Sequence, residues 1–232
     1  MNLSLCITTF NRYELLKESY AQVIDDSRIS EIIIVDDCST EPGIKEKVNS
    51  LAGGKVKVFH QVQNRGMSIN KMHAISYASN SWVIIFDSDN VIGPDYLDAF
   101  YKMLNGGQPL NDIIYCPSFA KPDFSYVQYE NFLVNKGNVT KLIKEDMFNT
   151  CANTCNYIVN RVFYLKTYQF NEKHIASDTI WHAYNHLKSG GSFYIVPGMH
   201  YYHRVHKGSG FLQGIDHNMR MQAEVRKMIM EL

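Results

Sequence analysis

Trp82-Val83-Ile84-Ile85-Phe86-Asp87-Ser88-Asp89 is an apolar run that ends in two carboxylates separated by one small residue. A run without polar alternation describes a strand buried on both faces. Similar runs precede it at Leu3 to Thr9, Glu31 to Asp36 and Lys55 to His60, with longer amphipathic stretches between them. Strand and helix therefore alternate. This βαβ pattern predicts an α/β fold: a Rossmann-like, mostly parallel central sheet with helices on both faces and right-handed crossovers.

Further along, Pro94 at a first helical turn opens a helix from Asp95 to Leu104, and Gly106 and Gly107 stop it. Gly66 allows a tight turn before a helix from Met67 to Ala78. One more strand is expected at Ile113 to Cys116. Between Pro109 and Asn149 the periodicity weakens, and the aromatic set Phe124, Tyr126, Tyr129 and Phe132 reads as core or lid packing in a substrate-facing insertion. A helix from Asp178 to Leu187 and two strands, Phe193 to Val196 and His200 to His203, follow. In the tail, Met221, Val225, Met228 and Leu232 recur at helical spacing, the mark of a helix docked on the body. The expected organisation is one domain over residues 1–215, with a nucleotide-binding half at 1–105 and an acceptor half at 106–215, and a C-terminal helix at 216–232.

The 232 residues are 45% hydrophobic, enough for one substantial core, and 23 basic residues balance 23 acidic ones. No basic excess recommends nucleic acid as a partner, so any phosphate recognition has to be local. The cysteines Cys6, Cys38, Cys116, Cys151 and Cys155 are an odd set without a paired metal-ligand spacing, and are read as reduced thiols. Residues from Met1 to Phe10 carry no basic region and are followed by no long apolar run, which does not suit an ordinary signal peptide. A cytoplasmic address is the expectation, with peripheral association at a membrane surface compatible with it.

Chemistry concentrates at the strand ends. In open α/β sheets ligands sit at the carboxyl ends of strands, and Mg²⁺ or Mn²⁺ is commonly held by one or two carboxylates together with substrate phosphates. Asp87 and Asp89 suit that task, although acidic pairs also serve as turns and caps. Asp36 and Asp37 close a second strand, and Thr8-Thr9-Phe10-Asn11-Arg12 closes the first. Three strand ends thus carry polar groups toward one edge.

Four blocks in order, Cys6 to Arg12 (CITTFNR), Ile32 to Thr40 (IIIVDDCST), Asn64 to Ile75 (NRGMSINKMHAI) and Val83 to Leu97 (VIIFDSDNVIGPDYL), resemble the GT-A glycosyltransferases, particularly the family 2-like group. The resemblance extends over roughly residues 1–205 and implies a GT-A fold with a small second sheet. It implies a nucleotide diphosphate sugar donor, probed by Thr8, Phe10, Arg12, Asp36, Asn64, Gly66, Lys71, Asp87 and Ser88, with Asp36 receiving the base, usually uracil. Asp37 and Ser39 would support that turn. It further implies Mn²⁺ or Mg²⁺ on Asp87 and Asp89, with a histidine after the last sheet strand, His203 here, and His200 and His206 as alternatives.

Related inverting enzymes place an acidic pair before a late helix, the second member deprotonating the acceptor hydroxyl. The pair here is Ser177-Asp178, so Asp178 keeps the base position without its acidic neighbour. Asn153 and Asn156 fall where relatives contact a glycan, glycolipid or protein acceptor. Plainer readings stand beside these: a helix cap for Asp178, a solvated helix face for Lys71, a hydrogen-bonded core histidine for His203. Nucleotidyl transfer would want a glycine-rich phosphate loop after the first strand, and residues 8–12 contain no glycine. A silent sugar- or nucleotide-binding module is the remaining alternative, favoured if Asp178 lay far from the donor residues.

Overall fold

The computed structural model describes residues 1–122, 124–145, 156–175, 177–204 and 215–232. In chain order these form β1 (Leu3–Thr9), α1 (Tyr13–Ser19), β2 (Ile29–Asp36), α2 (Ile44–Asn49), β3 (Val56–His60), α3 (Met67–Tyr77), β4 (Trp82–Asp87), α4 (Pro94–Leu104), β5 (Ile113–Lys121), β6 (Phe124–Ser125), β7 (Leu133–Val134), α5 (Val139–Lys144), β8 (Tyr157–Asn160), α6 (Arg161–Thr167), α7 (Asp178–Lys188), β9 (Ser192–Tyr202) and α8 (Ile215–Met230). The strands join in the order β3-β2-β1-β4-β8-β5-β9-β7, with β6 paired to β5.

The apolar runs behave as double-faced burial requires. Along β1, β2 and β4, Cys6, Ile33, Val35, Val83 and Ile85 pack on one side with Ala74 and Ile75 of α3, Ile180 and Leu187 of α7, and Val225 and Ile229 of α8. The alternate residues Leu5, Ile7, Ile32, Ile34, Ile84 and Phe86 pack on the other with Leu16 of α1, Ile44 of α2 and Tyr96, Leu97 and Phe100 of α4. A strand's period of two divides its side chains between the layers, so both sets have to be apolar.

β3, β2, β1 and β4 are mutually parallel, as are β5 and β9. β8 runs antiparallel to both β4 and β5, stitching the two groups into one sheet. The small second sheet is therefore not separate among the described residues, because β5, β6, β7 and β9 continue the central one. The two late strands also prove to be one, β9, bent around Gly198 (φ 71°), with a register shift in its pairing to β5 between Pro117 and Phe119. On α4 the left-handed turn that ends the helix starts at Asn105 (φ 46°), one residue before the glycines. Val225, Met228 and Leu232 pack against the body as the tail's spacing predicts, joined by buried Ile229.

Register positions the site. Thr8 of β1 lies opposite Val35 of β2 and Asp87 of β4, Thr9 lies opposite Asp36, and Asp36 opposite His60 of β3. The polar ends of β1, β2 and β4 thus form one edge. Among the described residues no helix is long and apolar enough to cross a membrane.

Candidate active site

The loops after β1 and β2 are laced together. Asn11, at φ 52°, donates its main-chain N–H to Ser39 Oγ at 2.7 Å, and its Oδ1 accepts from the N–H groups of Thr40 and Glu41 at 2.8 and 3.2 Å. Phe10 is exposed at this lip and Thr8 is partly so. Asp36 is only 2% exposed and already engaged, by the Ser39 hydroxyl and N–H and by His60 Nδ1 at 2.9 Å. A nucleobase reaching Asp36 therefore has to take the place of Ser39 or His60.

Asp37 holds the next loop: its two oxygens accept main-chain N–H groups from Arg65 and from Gly66, both at 2.8 Å. Burial pushes its carboxyl up from the ordinary value, and the two N–H groups oppose that. The turn they hold requires glycine, since Gly66 has φ 80° and a Cβ there would stand 2.7 Å from Ile175 Cγ2. Asn64 Oδ1 accepts from the same Gly66 N–H at 3.1 Å. Everything here serves to start α3 at a defined place.

That start aims Lys71 inward. On α3 the buried face carries Ser68, Asn70 and Lys71 beside Ala74 and Ile75, and the Lys71 side chain is 4% exposed. Its Nζ donates to Asp178 Oδ2 at 2.9 Å and lies 3.5 Å from Asp87 Oδ1. Asp178 is the first residue of α7; the cap position is Ser177, so Asp178 is not the helix cap. Burial raises the Asp178 carboxyl above its ordinary value, against the pull of Lys71. Three residues from well-separated parts of the chain, 71, 87 and 178, therefore meet in one cluster, buried at Lys71 and Asp178 and partly open at Asp87.

A sequence model of the family described as Glycosyl transferase family 2 matches residues 4–169. The chain belongs to glycosyl transferase family 2. Among curated proteins this glycosyltransferase domain is similar to Glycosyltransferase GlyG of Streptococcus pneumoniae serotype 4, 23% identical over 167 residues, which are 70% of this chain and 53% of that protein. The chain thus spans about half the length of the curated relative it matches. In fold it is similar to S. aureus TarS 1-349 in complex with UDP-GlcNAc, with a TM-score of 0.69 at 15% identity over 99% of this chain and 70% of that one. It is also similar to GalNAc-T7 solved with UDP, GalNAc and Mn²⁺, with a TM-score of 0.66 at 14% identity over 90% of this chain and 44% of that one.

In this family 2 domain the remaining expected site residues divide. Asp89 lies next to Asp87 and pairs with Arg12, Nη1 to Oδ2, at 2.7 Å. Ser88 between them is buried, so its side chain offers no surface to a donor. Among the described residues no three His, Cys, Asp or Glu side chains converge to hold a metal. His203 follows the last residue of β9. Its main chain is tied to the Lys121 carbonyl at 2.8 Å and its ring stands edge-on to Tyr201. His200 is stacked on Phe119, and His206 lies outside the described residues, as do Asn153, Cys151 and Cys155.

Asn156, expected at the acceptor, is 1% exposed and turned the other way. Its Oδ1 accepts the Asp87 main-chain N–H at 2.9 Å while its carbonyl accepts from Tyr96 Oη at 3.0 Å. It is a brace for the acidic strand end. A cavity of about 530 Å³, lined by Phe170, Trp181, Tyr184 and Lys188, includes none of Lys71, Asp87 and Asp178, so the chemistry is located by the side chains and not by that cavity. Two carboxylates with only oxygen donors, Asp87 partly open to solvent, fit a hard divalent cation whose remaining ligands come from a diphosphate.

Proposed function

We propose that this domain transfers a sugar from a UDP-linked donor to a hydroxyl of a glycan or glycolipid, with inversion at the anomeric carbon and Asp178 as general base. The observation that carries this reading is the Lys71 ammonium seated between Asp178 and Asp87. The bond from the anomeric carbon to the diphosphate oxygen breaks, its electrons leaving with UDP, as the acceptor oxygen attacks from the opposite side and gives its proton to Asp178. Lys71 has three N–H donors and offers one to the leaving diphosphate while keeping Asp178 oriented. Asp178 is a stronger base for being buried, and base assistance of this kind typically supplies ~10² to 10⁴-fold in rate. Asp87 and Asp89 would hold Mn²⁺ or Mg²⁺, which when bound neutralises charge on the departing diphosphate. Thr8, Phe10, Arg12 and Asn64 border the nucleotide at the strand edge.

The UDP-GlcNAc of the TarS complex and the UDP and Mn²⁺ of GalNAc-T7 support the donor and metal parts of this reading by analogy of fold. The test is a panel of UDP, GDP and dTDP sugars, with and without Mn²⁺, followed by donor hydrolysis and by binding. Metal-dependent turnover of a UDP sugar, lost in Asp89→Asn and in Asp178→Asn while the latter still binds UDP, is the expected result. Binding of no nucleotide under any condition would leave the binding-module reading in its place.

A further inference from the structure

Arg204 reaches from the end of β9 to the loop that follows β4. Its main-chain N–H donates to Asn90 Oδ1 at 3.2 Å, its Nε to the Asp89 carbonyl at 2.6 Å and its Nη2 to the Asn90 carbonyl at 3.2 Å. Nη2 also donates to the Leu15 carbonyl of α1 at 2.9 Å, and Nη1 to Glu18 Oε2 at 2.5 Å. Beside this fork the main chains of Val91 and Tyr202 exchange two bonds of 2.9 Å. A planar guanidinium can serve several divergent acceptors at once, which a single ammonium cannot.

Asp89 is thus held at both ends. Arg12, just ahead of α1, takes its carboxylate, and Arg204 takes its carbonyl. Both arginines are anchored at α1, so the acidic loop is registered against one helix from two directions. β4 alone cannot do this, because the strand ends at Asp87 and Asp89 lies beyond it.

We propose that Arg204 is the positioning residue of the acidic pair: by fixing the main chain at Asp89 and Asn90 it sets the Asp89 carboxylate to face the same cation and diphosphate as Asp87. The inference rests on the reading of Asp87 and Asp89 as the cation-holding pair. Arg204 touches neither cation nor donor in this scheme. Residues that orient metal ligands typically account for 10- to 100-fold in metal affinity or activity.

The experiment is Mn²⁺ binding by the full chain in the presence of UDP, read from the electron paramagnetic resonance of the free ion, alongside thermal melting and the Mn²⁺ dependence of donor turnover. The variants are Arg204→Gln, Arg204→Lys and, as control, Glu18→Gln, which removes an outer partner and leaves the bonds to Asp89 and Asn90. Both Arg204 variants should bind Mn²⁺ about 10- to 100-fold more weakly, with turnover recovered at high Mn²⁺, while Glu18→Gln matches the parent. Arg204 variants that melt lower yet bind Mn²⁺ as the parent does would overturn the proposal, as would an equal loss in Glu18→Gln. If Arg204→Gln does not fold, Arg204→Lys decides by the same criterion. A parent that takes up no Mn²⁺ with UDP defeats the cation-site reading itself, a result distinct from parent and variants binding alike.

Discussion

Glu31 on β2 carries a pH dependence of stability that can be worked out from its contacts. The side chain is 5% exposed, and Oε1 accepts from Ser4 Oγ at 2.7 Å and from the N–H and Oγ of Ser79 at 2.6 and 2.8 Å, while Oε2 accepts from Lys57 Nζ at 2.7 Å. Burial by itself would raise this carboxyl; Lys57, Ser4 and Ser79 together outweigh it and hold the group down to about 2, against an ordinary 4.5. A depressed carboxyl stabilises the fold fully above its unfolded value, and the contribution is lost as pH falls through 4.5 toward 2. At about 1.4 kcal/mol per pH unit the whole effect is about 3 kcal/mol, of which about 2 kcal/mol is gone by pH 3. Half of Lys57 is in solvent, so salt trims this further. Urea unfolding of the parent and Glu31→Gln at pH 7, 5, 4 and 3 isolates the term, since the other carboxylates titrate in both. The parent should lose about 2 kcal/mol more than the variant between pH 7 and 3. Parallel loss in the two proteins would refute the argument that these four donors hold the group ionised.

Other perturbations report on the site. Burial raises the Asp178 carboxyl above its ordinary value, and in the proposed role of base it must be ionised to act, so the acid limb of the pH–kcat profile should lie above the ordinary aspartate range; a limb that stays put when Lys71 is changed to Met would separate the two residues. Lys71→Met leaves a buried carboxylate without its ammonium, and donor turnover should fall at least ~10²-fold, checked by steady-state kinetics against an unchanged fold by circular dichroism. Gly66→Ala forces a Cβ to within 2.7 Å of Ile175 at a positive φ, and should lower stability by about 1 to 3 kcal/mol in a thermal melt. Asn156→Ala frees the Asp87 main-chain N–H, and both turnover and stability should drop, the latter by about 1 to 3 kcal/mol, whereas a pure acceptor contact would change acceptor KM alone.

What could be read from the residues was what periodicity and strand-end chemistry display. β1, β2 and β4 announce themselves because both faces are buried and each run ends in polar residues. β8 escaped that reading: its four residues, Tyr157–Asn160, are too few to show a period, and antiparallel pairing on both sides is a property of topology. The burial of Lys71 is equally hidden, since Ser68 and Asn70 share its face of α3 and dilute the apolar signal of Ala74 and Ile75 there. Asn156 looked like an acceptor contact because position alone cannot distinguish an amide aimed at substrate from one aimed at a main-chain N–H. Arg204 drew no notice for the same reason: three of its acceptors are carbonyls, which every residue has.

The antiparallel insertion of β8 has a consequence for how such a domain diversifies. Parallel strands deliver only their carboxyl ends to the functional edge, so the chain leaves that edge after β1, β2 and β4. β8 points the other way and delivers its beginning, Asn156, to the same place. The sequence leading into β8 can therefore change in length and composition without shifting the register of the strands that bear Asp36 and Asp87.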